Sequence, residues 1–217
     1  VEFKLNDAAL FVGTQGPDIF FDHRVLPWMI GKSMRKIGSL LHRAKPSDIF
    51  DKMREYINLS ERKDIAKSYA AGFILHYALD RSCHPYVYAL QNKMVEKYPH
   101  LNSHTAHNTI EFSMDTYLLT KRLKAENAYL FDTEGTIIFN ETELDELAKM
   151  ISYVTSNVTN KQVTPNDVKT AIKDLKYIQK LTTDKSGKKE NLVKIIDGIV
   201  APFLNNFKFS ALMRPKD

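Results

Sequence analysis

His76-Tyr77-Ala78-Leu79-Asp80-Arg81-Ser82-Cys83-His84, followed by His104-Thr105-Ala106-His107-Asn108-Thr109-Ile110-Glu111 and then Asp115, is the stretch on which the reading of this chain turns. Five of the chain's 7 histidines fall between His76 and His107. His76 and Asp80 stand four apart, as do His107 and Glu111. On a helix such pairs share a face and can converge on one point. Imidazole nitrogen and carboxylate oxygen both bind zinc at about 2.0–2.2 Å, so each pair is half of a metal site.

Two other readings compete with metal binding. Phe73-Ile74-Leu75 and Tyr77-Ala78-Leu79 surround His76, so the first helix reads as apolar almost all round and central. A buried His and Asp there are costly unless they pair with each other or hold a metal. His104, His107, Glu111 and Asp115 lie along one stripe and, taken alone, read as a solvated polar face. Taken together, the two segments favour a metal cluster, because the structural readings require two coincidences.

Composition narrows the classes. The 217 residues predict one domain, 1–217, with its metal site within residues 18–115 and further helices over 141–206. The hydrophobic fraction is 43% and the charged fraction 26%, as in soluble globular chains. Cys83 is the single cysteine, which excludes an intramolecular disulfide and a cysteine-built zinc site. The net charge of +5 suits an anionic partner, although the lysines form no dense patch and give no specific nucleic-acid signal. A ferritin-like Glu-x-x-His motif, a His-Glu-x-x-His motif and a nucleotide-binding Gly-x-x-x-x-Gly-Lys loop are all absent.

Helical periodicity dominates the rest and predicts an all-α fold. A helix is expected over Trp28–Leu41, and another from Ser47 or Asp48 to Ile57. Ser60 reads as the cap of a helix reaching Cys83, with Pro85 marking an end or a kink. A further helix is expected over Asn102–Lys124. Ala128–Asn140 reads as a short hairpin or irregular loop around the Asp132-Thr133-Glu134-Gly135 turn. Thr142 with Asp145 and Thr164-Pro165 with Asp167 resemble helix starts. Asp184–Lys189 reads as a loop, and a last helix covers Lys189–Phe203.

The N-terminal third contributes Asp18, at the end of the loop Gly13-Thr14-Gln15-Gly16-Pro17-Asp18, and His42, at the end of an amphipathic helix. His42 also reads as a histidine placed against the helix dipole. His23 reads as a surface residue or a support to the site, and His100 has no role assigned.

Gly16-Pro17-Asp18-Ile19-Phe20-Phe21, Ser39-Leu40-Leu41-His42, His76-x-x-x-Asp80-x-x-x-His84-Pro85-Tyr86 and His107-x-x-x-Glu111 together resemble the zinc-dependent phospholipase C family. That family includes bacterial phospholipases C and alpha-toxin and is related in fold to fungal single-strand nucleases. The resemblance covers about Phe11–Leu119 and is closest to the family's uncharacterised bacterial branch. It implies a compact multi-helix domain around two or three zinc ions. His42, His76 and Asp80 would hold one ion, and His84, His107 and Glu111 a second. Asp80 would bridge to a third, and Asp18 would orient or deprotonate the attacking water. His104 and Asp115 are further candidates.

Two departures from the family stand out. The N-terminal Trp and nearby His of the family's third site are missing, since the chain starts at Val1 and its first histidine is His23. Either residues precede Val1 or the third site is incomplete. Asp80 and His84 are also closer in sequence than the corresponding toxin residues.

The expected function is a metal-dependent phosphodiester hydrolase, phospholipase C-like, acting on a phospholipid or another phosphate ester, with peripheral membrane contact. Zinc lowers the pKa of bound water toward ~7 and polarises phosphoryl oxygens. The alternatives are a nuclease or nucleotidase of the same fold, or a metal-stabilised binding protein. A cytoplasmic bacterial location is expected over secretion.

Overall fold

The computed structural model describes residues 4–26, 28–122, 124, 131–184 and 188–215. Among these the secondary structure is helical, with no strand. The all-α expectation therefore holds. None of these helices is long and apolar enough to cross a membrane.

The chain divides into two compact units, 1–79 with 134–178, and 80–133 with 179–217. The division falls within one long helix.

The first unit holds α1 (Asp7–Thr14), a 3₁₀ turn (Gly16–Phe20), α2 (Arg35–Arg43), α3 (Pro46–Leu59) and the N-terminal part of α4 (Lys63–Lys97). It also holds α7 (Glu141–Thr159) and most of α8 (Pro165–Thr182). α7 packs against α1, α2 and α3. Ile19, Phe20, Met53, Ile65, Leu144, Leu147, Met150 and Ile172 are among the most deeply buried residues of its apolar core. Full burial of each such side chain is worth roughly 1.5–3 kcal/mol.

α1 and α4 cross at two glycines. A Cβ on Gly13 would overlap the Tyr69 carbonyl, and one on Gly72 would overlap the Leu10 carbonyl. Polar ties seat the outer helices: Asn6 donates to Glu143 at 2.7 Å, and Tyr56 and Ser60 donate to Glu146 at 3.0 and 2.5 Å.

The second unit holds the remainder of α4, α5 (Ser103–Arg122), α9 (Lys189–Val200) and 3₁₀ turns at Ala201–Leu204 and Phe209–Leu212; the division also cuts α6 (Thr133–Thr136), of which only Thr133 falls in this unit. Its buried apolar residues include Val87, Ala106, Ile110, Ala201, Ala211 and Met213. Backbone donors of the last turn are taken by side chains: Lys208 N–H donates to Thr105, and Phe209 and Ser210 N–H donate to the Asp197 carboxylate.

Several element boundaries differ from the sequence reading, each for a local reason. α2 starts at Arg35, not Trp28, because Gly31 adopts φ +111°, which a helix cannot contain. Ser60 ends α3, its N–H donating to the Tyr56 carbonyl, while its hydroxyl accepts from Arg62 N–H; α4 begins at Lys63. α4 runs on past Cys83 and through Pro85 to Lys97, where the sequence predicts an end or a kink.

α4 is not apolar-buried all round either. Ile65, Ala66, Tyr69 and Phe73 form a buried stripe, whereas Ile74, Leu75 and Leu79 are exposed. His76 and Asp80 are half-buried rather than enclosed.

α7 is capped by Asn140 with Glu143 in a reciprocal capping box, two residues before Thr142. Thr164 and Asp167 make the expected reciprocal bonds at the start of α8. The 132–135 turn leads into the single-turn α6 rather than a hairpin, among the described residues. Residues 128–130 of the expected hairpin, 185–187 of the expected loop and 123 near the end of α5 lie outside the described residues. The last helix stops at Val200 and tightens to a 3₁₀ turn at Pro202, since proline supplies no donor for a continued α-helix.

Candidate metal centres

In the first unit, Asp18, His42 and His76 bring one ligand atom each to within 4.8 Å of one another. Asp18 comes from the 3₁₀ turn, where Gly16 at φ +54° lets the chain reverse directly after α1. The same glycine leaves room for the His76 ring, which a Cβ at position 16 would overlap. His42 comes from the last turn of α2. Gly38, four residues earlier, lies against Phe20 and Phe21, which seats α2 on the 3₁₀ turn. Phe21 stacks on the His42 ring at 5.4 Å between centroids, and the His42 and His76 rings lie 6.0 Å apart.

The protons on His42 follow from its partners. Nδ1 lies 2.9 Å from the Gly38 carbonyl, which can only accept, so Nδ1 carries the hydrogen. Nε2 lies 3.1 Å from Asp18 Oδ1. A neutral imidazole would then present a lone pair to a carboxylate. The contact is favourable only with a positive charge there, either a second ring proton or a cation shared with His76.

Asp22, on the loop that follows the turn, has its carboxyl pKa pushed up to about 7, first by burial and then by the negative charge of Asp18. His23 is fully buried rather than on the surface. Its Nδ1 accepts the N–H of Met34, the residue before α2. Burial, followed by the charge of Arg24, holds its pKa below the ordinary value.

In the second unit, His84, His107 and Glu111 form another triad with ligand atoms within 4.8 Å of one another. Glu111 Oε1 lies 3.1 Å from His107 Nε2 and 3.5 Å from His84 Nε2. His107 and Glu111 stand one turn apart on α5, whose first turn is capped by Asn102 accepting from His104 and Thr105. The outward-facing nitrogens have partners of their own. His107 Nδ1 lies 3.0 Å from Gln91 Oε1, and His84 Nδ1 lies 3.3 Å from Asp80 Oδ1. Oxygen partners on Nδ1 leave Nε2 of each ring, on the Glu111 side, as the nitrogen that could hold a metal, the arrangement typical of histidine ligands. Tyr88 lies over both rings, at 4.9 and 5.3 Å.

The donor sets suit zinc. Nitrogen and oxygen ligands at about 2.0–2.2 Å in a tetrahedral site stand roughly 3–4 Å from each other; the Asp18–His42 contact at 3.1 Å and the Glu111 contacts at 3.1 and 3.5 Å match that spacing. The triads divide the sequence-derived residues differently from the family-implied ligand sets. Asp18 stands with His42 and His76, and Asp80 stands against His84 and belongs to neither triad. His104 sits exposed at the start of α5, and Asp115 sits exposed one turn past Glu111. Neither joins a triad among the described residues. Gln91 escaped the sequence reading. Its neighbours along α4, Asn92 and Lys93, carry no metal-ligand signal, and only the fold brings it to His107.

Residues 1–184 match the family model described as zinc dependent phospholipase C. No curated protein and no solved structure matches the chain. With most of its length matched by that model, and with an all-α fold carrying histidine–carboxylate triads, the chain belongs to the zinc-dependent phospholipase C family.

Proposed function

We propose that this family member hydrolyses the phosphodiester bond of a phospholipid, with one zinc ion held by Asp18, His42 and His76 and another by His84, His107 and Glu111. The observation that carries this reading is His42. Its Nδ1 hydrogen is committed to Gly38, so its Nε2 and the Asp18 carboxylate face each other across 3.1 Å as a pair that a second ring proton or a cation shared with His76 would satisfy, and zinc is the cation this reading places there.

Zinc in such a site supplies positive charge to phosphoryl oxygens and makes water acidic enough to yield hydroxide near neutral pH. The chain's own residues do the rest. Gly38 and Phe21 hold the His42 ring, and Gln91 and Asp80 hold the two rings of the second triad. Asp18 Oδ1 faces His42, and Oδ2 of the same carboxylate is the acceptor for the proton of the attacking water. Asp80 orients His84 in this arrangement rather than bridging ions. The products are diacylglycerol and a phosphorylated headgroup.

The test is metal analysis of zinc-reconstituted protein beside hydrolysis of phosphatidylcholine. Two zinc per chain are expected, falling to about one in His76→Ala and about one in His107→Ala, with phosphocholine release lost in both. Unchanged zinc content in either variant removes that triad from the proposal. Metal binding with no release from any phospholipid removes the substrate assignment.

A further inference from the structure

α9 is built inside out. Its one fully buried residue is Asp197, 3% exposed. Its leucine and isoleucines face solvent: Leu192 is 59% exposed, Ile195 65%, Ile196 43% and Ile199 66%. These stand at i, i+3, i+4 and i+7, one continuous stripe of a 3.6-residue helix. Phe203, in the turn that follows, is 85% exposed and extends the apolar surface beyond the helix.

Polar bonds set this orientation. The Asp197 carboxylate accepts the N–H groups of Phe209 and Ser210 at 2.7 and 2.9 Å, and Asp184 accepts the N–H of Glu190 at 3.0 Å. A buried carboxylate with such donors is costly to withdraw. The helix is thus pinned by its polar side with the apolar stripe outward. A Cβ on Gly198, also exposed, would meet nothing within 4 Å.

The charges around the stripe are one-sided. Lys188 and Lys189, four and three residues before Leu192, are exposed at the start of the stripe. The acids of the helix are turned in: Asp197 is buried, and the Glu190 side chain is 14% exposed and paired with Lys194. An apolar stripe with lysines one turn before its first residue and its acids on the opposite side is the pattern of a helix lying in the plane of a bilayer interface, with its apolar face among the acyl chains and those lysines at anionic headgroups. α9 also begins beyond residue 184, where the family match ends.

We propose that α9 with Phe203 is a docking surface for an anionic phospholipid bilayer, a choice of partner that rests on the phospholipid substrate proposed above.

The experiment is co-sedimentation of the zinc-loaded chain with sucrose-loaded vesicles, of phosphatidylcholine alone and of phosphatidylcholine with phosphatidylglycerol. Wild type is compared with Ile195→Glu/Ile199→Glu and with Phe203→Ala, each checked for unchanged helicity and for its oligomeric state. The expected result is binding that is stronger on the anionic vesicles, weakened by salt, reduced at least tenfold by the double substitution and severalfold by Phe203→Ala. The variants should hydrolyse a short-chain, monomeric phosphatidylcholine as wild type does. Equal vesicle binding by wild type and both variants overturns the proposal, as does a wild type that binds neither vesicle. A wild-type dimer that the double substitution dissociates, with no vesicle binding, assigns the stripe to a second copy of the chain and overturns it as well. Vesicle binding that follows the pattern above without hydrolysis of any phospholipid supports the docking surface and overturns only the hydrolase reading.

Discussion

The Nδ1 atom of His42 lies 2.9 Å from the carbonyl oxygen of Gly38, one helical turn earlier. A backbone carbonyl has no hydrogen to give, so this single contact assigns the ring tautomer and leaves Nε2 for Asp18 and His76. His42→Gln keeps a polar side chain of similar reach but replaces the aromatic nitrogen donor. Zinc content should fall by about one ion per chain, with the His84 triad still loaded. Retention of full stoichiometry by elemental analysis would show that Nε2 is not a ligand.

Gln91 touches His107 and no other member of its triad in the bonds described. Removing the partner that orients a ligating imidazole typically costs about 10–100-fold in metal affinity. Gln91→Leu should therefore weaken zinc at this triad by about that factor, while Gln91→Glu retains it, as competition with a chromophoric chelator would show. Equal affinities for Leu and Gln at position 91 would mean that the ring is oriented by packing alone.

Gly72 lies where α4 meets α1, and a methyl there would overlap the Leu10 carbonyl. Exposed helical positions gain from Gly→Ala, but here the backbones must part. Overpacking of this kind costs about 1–3 kcal/mol. Gly72→Ala should lower the melting temperature by several degrees, on a scale of about 2–4 °C per kcal/mol for a domain of this size. A raised melting temperature would show that the two helices separate at little cost.

Asp22 supplies a pH dependence of definite sign. Its pKa is about 7 in the fold against an ordinary 3.8, because burial and then Asp18 disfavour the charged form. Between these values the folded chain holds a proton that the unfolded chain has released, so stability falls as pH rises from about 4 to about 7. The contribution should be read in chelator-treated protein, since a cation beside Asp18 would pull the Asp22 pKa back down. Asp22→Asn should flatten that part of the denaturation-versus-pH curve and make the chain more stable than wild type at pH 7. An identical slope in the variant would mean that Asp22 titrates normally.

Much of the fold was legible because helices are short-range objects. The His104, His107, Glu111 and Asp115 spacing within α5 and the Thr164–Asp167 cap of α8 are set by residues within a few turns of each other. Boundaries failed where distant packing competed with local preference. Pro85 read as an end or a kink, and α4 runs on through it to Lys97. Ser60 has the chemistry of an N-cap yet ends the preceding helix. His23 read as a surface residue or a support to the site, and its full burial was not legible because nothing beside it in sequence marks the enclosure that the fold builds around it.

By itself the sequence determined the helical class, the exclusion of an intramolecular disulfide and of a cysteine-built zinc site, and the supply of histidines and carboxylates at one-turn spacing, since each follows from neighbours along one helix or from composition alone. Only the tertiary structure decided which carboxylate stands with which histidine. Asp18 meets His42 and His76 from a separate turn, and Asp80 meets His84. It also decided that Gln91 meets His107 and that α9 turns its isoleucines outward. The physical reason is range: helical period is a property of the local backbone, whereas convergence on a point depends on how separate elements pack, and packing is settled by the whole core.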